Sequence, residues 1–150
     1  MAGRFFEEWA VGDRLAHEPR RTVTETDNLL ISALTHNPQP LHLDAEAASA
    51  SEFGRILVNG TFTFALMVGL SVGDTTLGTL VANLGYDKVR MPKPVFIGDT
   101  LRAESEVAEC RASASRPDAG VVTFAHTLRN QRDEIVCECL RTALIRRRLA

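Results

Sequence analysis

The sequence predicts an α+β fold in which one antiparallel sheet wraps around a single long helix. Three observations predict it. Residues 56–73 carry no charged side chain, and within them Phe62, Leu66 and Leu70 recur at i, i+4 and i+8, the spacing of one helix face. Residues 101–107 alternate strictly, with Leu101, Ala103, Ser105 and Val107 against Arg102, Glu104 and Glu106, as a half-buried strand does. Two more long segments, 121–130 and 134–146, are rich in Val, Ile, Leu and Phe and are divided by turn-forming residues. A helix apolar on all sides and a sheet with an apolar face bury each other, so one layer of sheet around the helix is the economical arrangement.

Each element has a local cause. Residues 13–23 are polar and hold Pro19, which cannot donate to a ladder and so suits a loop and an edge strand. Thr24, Glu25, Thr26 and Asp27 offer an N-cap and first-turn acids. Leu29, Leu30 and Ala33 follow at helical spacing and predict a short helix to about Leu34. Residues 36–40 contain Pro38 and Pro40 and cannot be helix. Asp44 is the expected N-cap of a short Ala-rich helix over 45–51. The long helix starts at Asn59 or Thr61 and runs to about Gly73. An earlier strand lies in 79–89, ended by Pro92 and Pro94. Residues 115–120 read as a turn, and 130–133 close a hairpin. Along 121–130, Val122, Phe124, His126 and Leu128 share a face, so His126 reads as a satisfied core histidine.

Composition narrows the function. The 150 residues (16.5 kDa) suit one domain over 1–150, and 45% hydrophobic with 24% charged residues is ordinary for a globular protein. A net charge of −2 and a pI near 6.1 argue against nucleic-acid or membrane-surface binding. The uncharged run reaches the lower length limit of a membrane span. Asn59, Thr61, Thr63, Ser71 and three glycines interrupt it, however, and no cationic clusters flank it. Three cysteines do not suggest a disulfide framework, and no uninterrupted apolar leader is visible, so cytoplasmic residence is the expectation. Cys137 and Cys139 share a strand face and read as buried thiols rather than zinc ligands. Arg146, Arg147 and Arg148 read as a solvated C-terminal tail.

The most informative stretch is the bend Thr35-His36-Asn37-Pro38-Gln39-Pro40-Leu41-His42-Leu43-Asp44. Rigid prolines there hold polar side chains in a fixed loop. Gly60 lies at the start of the long helix, where free amides and a positive dipole await a ligand and glycine permits close approach. A histidine near such an amide can do acid/base chemistry while the amide stabilises an oxyanion.

Three stretches, NPQPLHLD (37–44), ILVNG (56–60) and PVFIGDTL (94–101), resemble the MaoC-like dehydratase family, single hot-dog domains that act as (R)-specific enoyl-CoA hydratases. The likeness extends over nearly the whole chain in the same order of elements. It implies a hot-dog fold, an acyl-CoA substrate bound near a homodimer interface, and no cofactor beyond the coenzyme A of the substrate. The family histidine falls on His42 and its oxyanion-hole glycine on Gly60. The family aspartate falls on Asn37, the downstream asparagine on Gln39, and a usual glycine on His36. Asn37 has no ionisable carboxylate, so it can orient water or substrate but cannot act as a base. The runs THNPQPLHLDAE and SRPDAG (115–120) look like the branch of mesaconyl-CoA hydratases and methylmalyl-CoA dehydratases, which points to a short branched or dicarboxyl acyl group.

The resulting expectation is reversible hydration of a trans-2-enoyl-CoA, a hydro-lyase reaction. His42, Asn37 and Gly60 are its catalytic set, and Gln39, His36, Asn59, Arg116 and Arg90 are candidates for substrate contact, with Arg55 a further cation. An acyl-CoA thioesterase on the same fold would want an acid near the central helix, and none lies between Arg55 and Asp74. A non-catalytic acyl-CoA-binding protein is the remaining alternative. A single-layer sheet leaves open edges, so a homodimer joined at sheet edges is expected.

Overall fold

The computed structural model describes residues 2–148. Five antiparallel strands form one sheet in the order β1-β3-β4-β5-β2. They are β1 (Arg14–Thr22), β2 (Leu80–Arg90), β3 (Thr100–Ala112), β4 (Ala119–Arg129) and β5 (Ile135–Arg146). Between β1 and β2 lie α1 (Glu25–Leu34), α2 (Pro40–Leu43), α3 (Ala45–Ser49) and α4 (Gly60–Thr75). No helix among the described residues is long and apolar enough to cross a membrane.

The strand pattern predicted for 101–107 is the observed one: Leu101, Ala103, Ser105 and Val107 are buried and the residues between them are not. β1 is an edge strand whose register with β3 breaks between Ala16 and Arg20, around Pro19. There the missing amide hydrogen makes a regular ladder impossible. Gly120, read as part of a turn, instead belongs to β4 beneath the Phe6 ring, where an added Cβ would lie 2.2 Å from a ring carbon.

Two helices present different faces from those their apolar spacing suggests. On α1 the buried residues are Asn28 and Ser32, while Leu29 and Leu30 are about half exposed. On α4 the buried line is Thr63, Met67, Ser71 and Thr75, and Phe62, Phe64, Leu66 and Leu70 pack half-buried beside the core. Slender side chains let the sheet approach the helix closely. The hydroxyls of Ser71 and Thr75 are satisfied by the carbonyls of Val68 and Ser71, each at 2.7 Å.

The core is two apolar clusters with a polar stratum between them. One contains Val58, Met67, Leu101, Ala103, Leu128 and Cys139; the other contains Trp9, Val107, Val122, Phe124, Ala143 and Ile145. Between Ala103 and Val107 on β3 sits Ser105, between Leu128 and Phe124 on β4 sits His126, and between Cys139 and Ala143 on β5 sits Arg141. These join into a directional chain. Nδ1 of His17 donates to Asp74 (3.0 Å), its Nε2 accepts the Ser105 hydroxyl (2.7 Å), and the Ser105 oxygen accepts Nδ1–H of His126 (2.6 Å). Arg141 donates through Nε to Asn83 and through Nη2 to Thr76. Nε2 of His126 and Nη1 of Arg141 make no hydrogen bond among the described residues. His126 is thus a core histidine, tied into this chain through one nitrogen.

The C-terminal arginines are not a free tail. Arg146 ends β5, Arg147 donates its amide to the Asp118 carbonyl, and Arg148 pairs with Glu8. Their guanidinium groups lie over Phe6 and Phe5 at 5.0 and 5.3 Å, so the N-terminal turn supplies both rings and acids to hold them. Cys137 and Cys139 are buried, which pushes their thiols up to about 12 and about 11.

Candidate active site

The proline-rich bend is held by its own backbone. His36 takes a positive φ of 55° and Asn37 donates its amide to the Ser32 carbonyl (2.9 Å), ending α1. Oδ1 of Asn37 then accepts the Gln39 amide (3.0 Å), an Asx turn. Pro40, expected outside any helix, opens α2, since a first helical position needs no amide hydrogen. That single turn carries His42, and Asp44 caps α3 by accepting the amides of Glu46 and Ala47, both at 3.0 Å.

His42 is half-buried, and Nδ1 donates to the Leu57 carbonyl at 2.8 Å. A carbonyl only accepts, so Nδ1 carries a hydrogen, and in the neutral imidazole Nε2 then holds the lone pair. Leu57 in turn donates its amide to the Leu41 carbonyl, which ties the His42 turn to the approach of α4. Asn28, fully buried, spans the same junction. Its Nδ2 donates to the His42 carbonyl and its Oδ1 accepts the Asn59 amide, both at 2.9 Å.

Asn59 caps α4, its Oδ1 accepting the amide of Thr61 at 3.0 Å and its hydroxyl at 2.7 Å. Its buried side chain is occupied in this cap and with Ser32, so it builds the site without facing a ligand. The amide of Gly60, the first residue of α4, has no hydrogen-bond partner among the described residues. It points outward from the positive end of the helix dipole. A Cβ at this position would lie 2.5 Å from Sδ of Met91, so Met91 packs directly over the glycine. Beside Gly60 opens a cavity of about 360 Å³ with apolar walls that include Phe53, Val95 and Val136, and with Lys93 on its lining.

The bend and the helix start therefore converge. Leu57 and Asn28 join His42 and Asn59 in one hydrogen-bonded unit, and Gly60 follows Asn59 in the chain. Asn37 and His36 line a separate cavity of about 480 Å³ with Leu29, Ala33 and Leu43, and Gln39 is exposed on the bend. Arg116 is gripped by both oxygens of Asp118 in the β3–β4 turn, at 3.0 and 2.6 Å. Arg90 pairs in register with Glu138 and lines a cavity with Lys88 and Leu140. Arg55 covers the Phe96 ring at 3.9 Å. Sequence reasoning missed Asn28, Met91 and Lys93. Asn28 was hidden by the leucines beside it. The Pro92-Lys93-Pro94 flank of the family-like PVFIGDTL run was a signal that could have drawn attention to Lys93.

The MaoC like domain family matches residues 6–130. The chain is 39% identical over 147 residues to a mesaconyl-CoA hydratase of Cereibacter sphaeroides, covering 98% of this chain and 42% of that protein. A MaoC-like dehydratase from Rhodospirillum rubrum superposes with a TM-score of 0.85 at 33% identity, covering 99% of this chain and all of that one. A Mycobacterium tuberculosis protein with a double hot-dog fold superposes with a TM-score of 0.88 at 23% identity, covering 97% of this chain and 45% of that one, a likeness of fold. The chain spans about two fifths of the length of the mesaconyl-CoA hydratases and the methylmalyl-CoA dehydratase it matches.

Proposed function

Because this chain belongs to the family of MaoC-like domains and has their hot-dog fold, we propose that it catalyses reversible hydration of a trans-2-enoyl thioester of coenzyme A. The observation that carries the reading is the pairing of an imidazole with an available Nε2 lone pair and a helix-start amide without a partner.

In the hydration direction, Nε2 of His42 takes a proton from water as the water oxygen bonds to the β-carbon. The electron pair of the double bond moves toward the thioester, whose carbonyl oxygen gains charge. The Gly60 amide and the α4 dipole stabilise that enolate. The imidazolium then returns its proton to the α-carbon, so the elements of one water are added. Asn37, whose Oδ1 already accepts from Gln39, lies on the separate cavity and has only its Nδ2 hydrogens to offer, so the proton transfers are assigned to His42 alone. The thioester itself acidifies the α-carbon, so the chemistry asks for no metal or redox cofactor. The acyl group is short and branched or dicarboxylic, a reading supported by the names of the relatives it matches.

The same reading includes a homodimer. The two edge strands differ in character: β1 exposes Arg14, Glu18, Arg20 and Arg21, whereas β2 exposes Leu84, Tyr86 and Val89. Pairing β2 with a second copy would cover those residues and continue the sheet. Light scattering coupled to size exclusion checks this, with a monomeric mass as the contrary result.

The activity is tested by following enoyl-thioester absorbance with crotonyl-CoA and mesaconyl-CoA, with His42→Ala as control. Loss of absorbance that requires His42 is expected. Tight binding of the esters without turnover would instead favour a non-catalytic acyl-CoA-binding domain.

A further inference from the structure

We propose that Lys93 selects the acyl group, its ammonium recognising a second carboxylate on the substrate so that a dicarboxylic enoyl thioester is preferred over a monocarboxylic one. This rests on the reading that the cavity beside Gly60 receives the acyl group.

Lys93 is the one charged residue lining that cavity, whose remaining walls are apolar apart from Thr63. Lys93 is itself exposed, and its ammonium gives a carboxylate placed at this side of the cavity a charged partner that a methyl group does not gain. Two features hold it in position. Pro92 and Pro94 flank it, and a following proline restricts the preceding residue to extended geometry. The segment after it is tied to the approach of α4, since Val58 donates to the Val95 carbonyl at 2.9 Å and Leu57 bridges to Phe96. Lys93 thus hangs from the chain that pairs with the residues leading into Gly60.

Its charge is also uncommitted. Among the described residues Lys93 makes no ion pair within 4 Å, whereas Arg102, Arg116, Arg129 and Arg132 all do. Glu134 feels Lys93 weakly, but its Oε2 already accepts from Asn130 and Arg132. The other candidate cations lie elsewhere or are engaged: Asp118 holds Arg116, Arg55 covers the Phe96 ring, and Arg90, also without an ion pair among the described residues, lines a different cavity.

The test compares mesaconyl-CoA with crotonyl-CoA for the native protein, Lys93→Met and Lys93→Arg. The ratio of kcat/KM for the two esters is expected to favour mesaconyl-CoA and to fall about 10- to 100-fold in Lys93→Met, with Lys93→Arg keeping most of it. The fall appears mainly in KM for the dicarboxylic ester. An unchanged ratio in Lys93→Met overturns the inference while leaving hydration intact. If neither ester is hydrated, calorimetric binding of the same two esters decides. Tighter binding of mesaconyl-CoA that Lys93→Met abolishes upholds the inference although the hydratase reading has failed. Equal affinity, or no binding of either ester, overturns it.

Discussion

Lowering the pH below about 6.5 destabilises this fold through His126. The imidazole is 1% exposed, stacks on Phe124 at 5.7 Å between centroids, and donates through Nδ1 to Ser105. Burial first, and then the nearby positive charge of Arg141, lower its pKa to about 3. In the unfolded chain it titrates near 6.5. Between those values the unfolded state binds more protons than the folded one, so stability falls as the pH drops and is insensitive to this group above 6.5. At up to about 1.4 kcal/mol per pH unit, the loss from pH 7 to pH 4 is about 3 kcal/mol, a large share of a typical domain's stability. The assay is urea unfolding at pH 7, 6, 5 and 4 for the native protein and His126→Gln. Glutamine keeps an N–H for Ser105 and does not titrate. Carboxylates such as Glu134, held low by its Asn130 hydrogen bond, affect both proteins alike. The stability difference between the two proteins should shrink by about 3 kcal/mol across the range. Parallel pH profiles would refute the reasoning.

Three other substitutions separate the roles assigned here. His42→Ala should lower kcat for enoyl-CoA hydration by about 10³-fold and, by losing the bond to the Leu57 carbonyl, cost about 1 kcal/mol of stability, as steady-state kinetics and urea denaturation will show. Asn28→Asp removes the donor facing the His42 carbonyl and should cost about 2 kcal/mol as well as activity, measured by urea unfolding and turnover together. Gly120→Ala drives a Cβ into the Phe6 ring and should cost about 1–3 kcal/mol, and a double-mutant cycle with Phe6→Ala should show coupling between the two changes.

Much of the active-site region was legible because its signals are local. Pro38 and Pro40 dictate a rigid bend whatever surrounds them, Asp44 caps the helix that follows, and Gly60 stands where the uncharged run turns helical. The alternation of 101–107 carried through residue by residue, since period two admits only one choice of buried face once the strand forms one side of a core. α1 misled for the converse reason. Leu29 and Leu30 have helical spacing but lie outward, because the inner face is set by hydrogen bonds to residues distant in sequence. Asn28 meets the backbone of His42 and Asn59 there, an assignment no window of the sequence contains.

The sequence by itself determined the class of fold, the presence of the bend and the start of the long helix, and the residue types available to the chemistry. Those follow from periodicity, proline geometry and capping, which act over a few residues. Only the tertiary structure decided which of these groups meet. It turned Nε2 of His42 free by giving Nδ1 to Leu57, and set Asn37 on a separate cavity. It bound Arg116 to Asp118 and left Lys93, on the cavity beside Gly60, without an ion pair among the described residues. It also assembled His17, Ser105 and His126 from three strands, β1, β3 and β4, and Asp74 from the far end of α4 into one chain. Hydrogen bonds and ion pairs are short-ranged and directional. Which partners come within reach is therefore a property of how the sheet closes on the helix.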